Sequence, residues 1–259
     1  MSIDRPFDIY REQLSSLYRG YALWNPNPEN LYDHVSIGDV GYVYEGGFIR
    51  MFNVTLPWND ESNRLLGVEP PGYDPLPSSN FRREGFDKVD YYSRHVTREE
   101  NAYIAQTASP DEWAIVLFLD SFHSSTSRRA ESVTYTCRGR GALLSLPRGG
   151  YREYSLHTKG FEKYIRENVV SWFNWAQMNQ LDVDHMEDLV FVYGCTLVSS
   201  WAAAVFDDYI EDAQISLSCR ALNNGGARFV WRNIRGTVDY HNSRLDPVCS
   251  PLPTLHAMH

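Results

Sequence analysis

The sequence predicts an α+β fold, in which a mostly antiparallel sheet, or paired sheets, carries an N-terminal helix and one long amphipathic helix. Three observations support this class. A helical period covers about residues 159–180, apolar residues alternate along several short segments, and glycine-rich turns join some of those segments. The sequence shows no repeat and no sharp boundary, so we treat 1–259 as a single α+β domain.

The long helix has the clearest pattern. From Phe161 to Ala176 the apolar residues recur at three- and four-residue steps, with charged residues on the opposite side. The segment Leu189–Tyr193 follows an acidic link and has no polar face, which is typical of a central strand covered on both sides. We therefore expect the helix and this strand to pack on each other.

The other elements follow from the same periodicities. Helical spacing over about 5–19 predicts the N-terminal helix, and the glycines of Glu45–Gly47 predict a hairpin between Val40–Tyr44 and Phe48–Val54. Alternating or continuous apolar patterns predict further strands at 90–96, 101–105, 113–119, 132–137, 142–147, 201–206, 213–221 and 229–231.

Two segments lack any periodicity. Residues from about 57 to 77 are rich in proline and polar side chains, and we interpret them as a long surface loop where a ligand or partner could bind, or as a tolerated insertion. Residues 247–259, with Pro251 and Pro253, are predicted to form a loose C-terminal tail.

Composition excludes several classes of partner. The 33 acidic and 24 basic side chains leave a net charge of −9, which opposes binding to nucleic acid and to anionic lipid. The first six residues lack the apolar core of a signal peptide, so we expect a cytoplasmic protein. The four cysteines form no C-x-x-C pair, which favours reduced, buried thiols over a zinc site or disulfides.

Short motifs spread over most of the chain resemble those of one protein family. They are Gly20–Pro28 (GYALWNPNP), Ile37–Tyr42 (IGDVGY), Phe52–Asn53, Gly141–Pro147 (GALLSLP), Trp172, Tyr193–Cys195 and Trp201–Ala202. In these motifs the chain resembles a family of uncharacterised proteins of mushroom-forming fungi. The family has no established activity, so no functional residue is carried over. Modules of this kind are similar to ones fused to NTPase and repeat domains of immune-receptor type, which implies a sensor or effector role.

A weaker likeness is to gasdermin-like pore formers. It is based on the size of the chain, its many predicted strands and its aromatic content of 14%. The resemblance implies a protein that permeabilises membranes.

No catalytic signature is present. The sequence contains no G-x-x-x-x-G-K-[ST], no H-E-x-x-H and no G-x-S-x-G motif. We therefore predict no catalytic, cofactor-binding or metal-binding residue, and no cofactor.

Two acidic turns and one cysteine leave other interpretations open. Asp182, Asp184, Glu187 and Asp188 surround His185, and a second cluster covers Asp207–Asp212. Each is a solvated turn, or the two hold a hard cation together if they lie side by side. Cys195 is a buried structural thiol, or a nucleophile if His123, His157 or His185 approaches it and an aspartate orients that histidine.

The leading hypothesis is a non-catalytic fungal cytosolic protein that acts through contacts with a protein partner or a ligand, as a sensor or effector module. The first alternative is a gasdermin-like membrane-permeabilising protein. The second is an enzyme whose site is at Cys195 or at the acidic turns.

Overall fold

The structure, a computed structural model, describes most of the chain. The described residues are 5–15, 17, 22–26, 35–66, 68–76, 81–106, 115–117, 130–206, 212–221, 227–235, 238–242 and 250–252.

The described residues form two helices and a set of antiparallel strands. The helices are α1 (Pro6–Ser15) and α2 (Thr158–Met178). The strands are β1 (Asp39–Tyr44), β2 (Gly47–Asn53), β3 (Phe81–Phe86), β4 (Val89–Tyr92), β5 (Val96–Gln106), β6 (Ile115–Leu117), β7 (Ala130–Cys137), β8 (Gly141–Leu146), β9 (Gly150–Ser155), β10 (Leu189–Phe191), β11 (Gly194–Val198), β12 (Ala202–Phe206), β13 (Ala213–Ala221), β14 (Ala227–Arg235), β15 (Val238–Asn242) and β16 (Ser250–Leu252). The predicted α+β class is confirmed.

The chain divides into two compact units, each built from separate stretches of sequence. The first unit comprises Met1–Ser16, Lys88–Arg148 and Ser199–Val248, and the second comprises Leu17–Asp87, Gly149–Val198 and Cys249–His259. Each sheet lies within one unit. The single domain over 1–259 stays a prediction.

The first unit is a sandwich of two sheets. Their strand orders are β15-β12-β8-β4 and β14-β13-β7-β5-β6. Leu143 and Phe206 from the first sheet meet Tyr135 and Ile215 from the second in one buried core. Strands β8 and β12 are buried at every position, because helix α1 covers the sheet face that points away from this core.

The second unit packs helix α2 on a three-stranded sheet of order β10-β1-β2. The predicted hairpin is present, since β1 and β2 pair from Asp39 with Asn53 to Tyr44 with Gly47. A four-stranded sheet of order β16-β11-β9-β3 completes the unit. Val190 and Val192 point away from α2 and pack with Cys195 of β11.

An aromatic cluster joins the hairpin to α2. The ring centroid of Phe52 lies 5.6–6.2 Å from those of four other rings, and every pair meets edge to face. The four rings are Trp58, Tyr73, Trp172 and Trp175. Each such pair adds about 0.5–1.5 kcal/mol beyond the burial of area.

Strand β10 differs from its prediction. Both faces of Leu189–Phe191 are buried, as the apolar sequence indicates, and Phe161 of α2 packs on Phe191 at a centroid distance of 4.8 Å. However, β10 lies at the end of its sheet, not at the centre. A strand with no polar residues indicates only that both of its faces are buried. It does not distinguish a central strand from an edge strand whose two faces are covered.

The predicted surface loop at 57–77 is tied to α2 in its described part. It contains a 3₁₀ helix, Glu61–Leu66, and Trp58, Tyr73 and Leu76 pack on the core of the second unit. Three α2 side chains donate hydrogen bonds to its carbonyls: Tyr164 to Asp74 (2.6 Å), Ser171 to Pro71 (2.7 Å) and Trp175 to Val68 (2.8 Å).

Five strands lie where none was predicted: β3, β9, β11, β15 and β16. Strand β11 directly follows the predicted strand Leu189–Tyr193. Strands β3, β9 and β15 have many charged or exposed side chains and a weak apolar alternation. Within the predicted tail, β16 pairs with β11 although it contains Pro251. The rest of 247–259 lies outside the described residues.

We expect Phe52→Ala to lower the free energy of unfolding by about 3–5 kcal/mol, because it removes the ring that four others surround. Urea unfolding followed by tryptophan fluorescence measures the loss. Tyr44→Ala is the matched control, since Tyr44 is 49% exposed at the end of the adjacent strand, and it should change stability by less than about 1 kcal/mol. Equal effects of the two substitutions would contradict a central role for the cluster.

Two glycines that both have a positive φ angle provide a second test. Gly149 has φ +62° and a Cβ there would lie 2.0 Å from the Phe86 carbonyl oxygen, whereas Gly72 has φ +75° and open space around it. Gly72→Ala should cost about 1–2 kcal/mol through backbone strain alone. Gly149→Ala should cost clearly more in the same denaturation assay, and an equal cost would show that the close approach is absent.

Candidate functional site

A groove of about 480 Å³ lies between α2 and β10 in the second unit. One wall is a stripe of α2 at three- and four-residue steps, with Glu162, Ile165, Arg166, Val169 and Trp172. The opposite wall and floor are Val40 and residues 189–191, and the 3₁₀ helix Met186–Asp188 closes one end.

The amphipathic pattern of α2 explains why a groove forms here. Phe161, Trp172, Trp175 and Ala176 bury deeply against the sheet, so they hold the helix in place. Ile165 and Val169 lie on the same stripe but remain partly exposed. Apolar side chains therefore line an open depression on the surface of the second unit.

The acidic turn between α2 and β10 forms the end of the groove. The Gln177 amide donates a hydrogen bond to the Val183 carbonyl, and Val183 is fully buried. The His185 N–H donates to the Asp188 carboxylate at 2.8 Å, and the Asp188 N–H donates to the His185 carbonyl at 3.1 Å. These bonds hold Met186 and Glu187 at the mouth of the groove.

Charges at the rim are mainly acidic. Arg166 forms an ion pair with the Glu162 carboxylate at 3.7 Å and donates a hydrogen bond to the Glu162 backbone carbonyl at 3.2 Å. Glu187 lines the mouth, and Asp184 is exposed in the turn beside it. Acidic side chains therefore outnumber basic ones around the opening.

The described residues give no support to the alternative in which the two acidic turns hold a cation together. Asp182, Asp184, Glu187 and Asp188 are all exposed, and within the described ranges no group of three acidic, histidine or cysteine side chains could hold a metal ion. Of the second cluster only Asp212 is described, and it pairs with Arg138 at 3.2 Å. Residues 207–211 lie outside the described residues.

Cys195 lies in an apolar environment. It packs with Leu23, Val190 and Val192. Burial, together with the negative charges of Glu153 and Asp39, raises the pKa of its thiol to about 12. A thiol in this setting stays protonated at neutral pH, and the thiolate is the nucleophilic form.

A network of buried amide side chains connects the start of β1 and the end of β2 with the loop at 57–77. The Asn53 amide nitrogen donates to the Asp39 carboxylate at 2.8 Å, and its oxygen accepts bonds from the backbone and hydroxyl of Thr55. Asn63 accepts from the Asn53 backbone, and the Tyr73 hydroxyl lies within 3.2 Å of the Asn63 amide. These buried polar groups are satisfied by each other, which indicates a structural role.

The first unit contains a buried carboxylate with two partners. Asp90 accepts a hydrogen bond from Ser145 at 2.6 Å and pairs with Arg98 at 2.9 Å. Burial and the neighbouring Asp90 raise the pKa of Tyr135 above its ordinary value. Arg98 compensates the charge of Asp90 in place, which indicates a structural role for this cluster.

Sequence reasoning identified the α2 stripe as buried but not as the wall of a groove. The sequence feature that could have indicated the groove is the width of the apolar stripe, which extends beyond the residues that pack deeply on the sheet. His123, one of the three histidines proposed for Cys195, lies outside the described residues.

Compared with protein-family models, curated proteins and solved structures, the chain matches none. The fungal family resemblance therefore stays a prediction. Neither α1 nor α2 is long and apolar enough to span a bilayer.

We expect Cys195 to resist iodoacetamide at pH 8 in the native protein, because its buried thiol has a raised pKa. Peptide mapping by mass spectrometry measures the modification of each cysteine. Cys219 is partly exposed and serves as the internal control, which should react faster. Both should react in urea, and rapid native modification of Cys195 would instead favour the enzyme alternative.

Proposed function

We propose that this protein is a non-catalytic binding module whose groove between α2 and β10 holds an apolar group of a partner or ligand. The observation that carries the proposal is the groove itself. Its volume of about 480 Å³ lies within the range of about 300–1,000 Å³ typical of ligand sites. Its lining is mainly apolar with a few charged groups at the rim, which is the usual composition of such sites.

The chemistry around the groove supports binding over catalysis. The acidic side chains at its mouth are exposed, and the Cys195 thiol is buried in the apolar cluster with Val190 and Val192 and does not line the groove. A catalytic site brings a nucleophile, a base and a stabilising group within hydrogen-bond reach of one another. The described groove residues contain two glutamates and one arginine, of which Glu162 and Arg166 neighbour each other.

The sensor or effector role that the fungal resemblance implies would use this same surface. A cytosolic setting and a protein partner are part of the proposal. Membrane permeabilisation and catalysis stay as the alternative predictions.

Filling the groove tests the proposal. Val169 lines the groove, whereas the adjacent Val170 is 54% exposed and does not line it. Val169→Trp should occupy the apolar volume, and Val170→Trp makes the same chemical change outside it. Circular dichroism and urea unfolding check that both variants fold.

The uncharged dye Nile red is the probe. We expect the wild type and Val170→Trp to bind it with a blue shift and increased fluorescence, and Val169→Trp to bind it at least about tenfold more weakly. A tenfold loss corresponds to about 1.4 kcal/mol, which is close to the free energy of about 1.5–3 kcal/mol gained by burying one apolar side chain. No binding, or equal binding by all three proteins, would contradict the proposal.

A further inference from the structure

We propose that two copies of this chain associate through β3, which pairs in antiparallel orientation with β3 of the second copy about a twofold axis at Arg83. The two sheets, each of order β16-β11-β9-β3, then join into one continuous sheet. This inference goes beyond the proposed function, because no residue of β3 lines the groove.

The first step is the open edge of β3. The strand lies at the end of its sheet, where it pairs with β9, and no other described strand lies on its outer side. Residues 81–85 are all exposed, so no other part of the chain covers this edge. An exposed strand edge is a template for a further strand.

The second step is the direction of the peptide groups. The Ser155 N–H donates to the Tyr193 carbonyl at 2.9 Å, so the backbone of Ser155 points toward β11. Backbone groups alternate in direction along a strand, so those of Tyr154 point toward β3, where Tyr154 lies opposite Arg82. The backbone of Arg82 therefore faces β9. The same alternation leaves three residues of β3 whose peptide groups point outward: Phe81, Arg83 and Gly85.

The third step is the register that these groups allow. In an antiparallel pair, outward-pointing residues lie opposite each other, so Arg83 meets Arg83 of the second copy, and Phe81 meets Gly85. The intervening Arg82 then lies opposite Glu84 of the second copy, and the twofold symmetry repeats this pair on the other side of the axis. Arg82 and Glu84 form a pair without backbone hydrogen bonds, which is the type whose side chains lie closest.

The fourth step is charge complementarity. Charged side chains on an edge normally oppose pairing, but opposite charges directly across two strands favour it. In the proposed register each Glu84 carboxylate gains Arg82 of the second copy as a neighbour. The two Arg83 side chains meet at the axis, and each is already paired with Glu153 of its own β9. A slip of two residues in either direction would instead place Arg82 opposite Arg82 or Glu84 opposite Glu84.

The fifth step is the exposed aromatic residues. Phe81 is 57% exposed and Tyr151 is 53% exposed. Tyr151 lies opposite Gly85 within one copy, and its ring lies 3.8 Å from where a Cβ of Gly85 would be. Phe81 of the second copy lies opposite the same glycine from the other side. The missing side chain leaves room for both rings, so pairing covers aromatic surface that a single copy exposes.

Sedimentation velocity of the full-length chain tests the association. We expect a reversible dimer at high micromolar concentrations, because one short strand makes a contact at the small end of specific interfaces. Amide hydrogen exchange, compared at low and high protein concentration, should slow at Arg83 and Gly85. A monomer at every concentration would overturn the inference.

Charge reversal tests the register. Arg82→Glu and Glu84→Arg each place like charges opposite each other, so each should weaken association at least about tenfold. The double variant Arg82→Glu/Glu84→Arg restores opposite charges only in the proposed register and should recover most of the affinity. Lys163→Glu is the matched control, because Lys163 lies on α2 and the substitution changes the net charge as Arg82→Glu does.

Two substitutions at the axis separate backbone from side chain. Arg83→Pro removes the outward N–H and should abolish association, while the bonds between β3 and β9 remain, because proline is tolerated where the N–H of an edge strand faces solvent. Arg83→Thr removes the same charge but keeps the N–H, so it should associate within about threefold of the wild type. Circular dichroism and urea unfolding check that both variants fold.

The outcomes separate this inference from the proposed function. Association that survives Arg83→Pro, or charge variants that behave like Lys163→Glu, would overturn pairing through β3. Nile red binding that depends on Val169 would stay intact in either case. Loss of dye binding with an intact dimer would overturn the proposed function and leave the pairing of β3 in place.

Discussion

The second unit depends on the packing of four aromatic rings around Phe52. Phe52 belongs to the hairpin, Trp58 and Tyr73 to the following loop, and Trp172 and Trp175 to α2. Edge-to-face contacts restrict the position of each ring, so Phe52 fixes the hairpin and the loop that follows it relative to α2, which is distant in sequence. The helix position follows from this cluster, and so does the gap that remains between α2 and β10.

The polar groups beneath the cluster make the arrangement specific. Asn53 follows Phe52 in the chain and is 3% exposed, and its amide reaches Asp39 at the start of β1. Asn63 and Tyr73 bring the loop to the same point. Apolar packing alone allows several arrangements, but buried hydrogen-bonding groups tolerate few, because each unpaired one costs about 1–3 kcal/mol. The described part of the loop at 57–77 therefore belongs to the scaffold that supports the groove.

The groove exists because α2 has more apolar surface than its sheet covers. Phe161 and Trp172 anchor the helix, and Ile165 and Val169 between them meet no strand beyond the edge of β10. Apolar side chains that stay partly exposed beside an open groove are a common feature of binding surfaces.

The sequence by itself determined the helices, the hairpin β1–β2 and most buried strands, because their periodicity depends on local spacing and on which side chains avoid water. It did not identify β3 and β9, whose exposed, charged residues obscure the alternation, nor the edge position of β10, since burial of faces is independent of strand order. It could not show that Cys195 lies among aliphatic side chains. Those features, and the groove, come from contacts between segments far apart in the chain. Only the tertiary structure decides them, because strand neighbours and the gap beside a helix are set by packing across the whole unit.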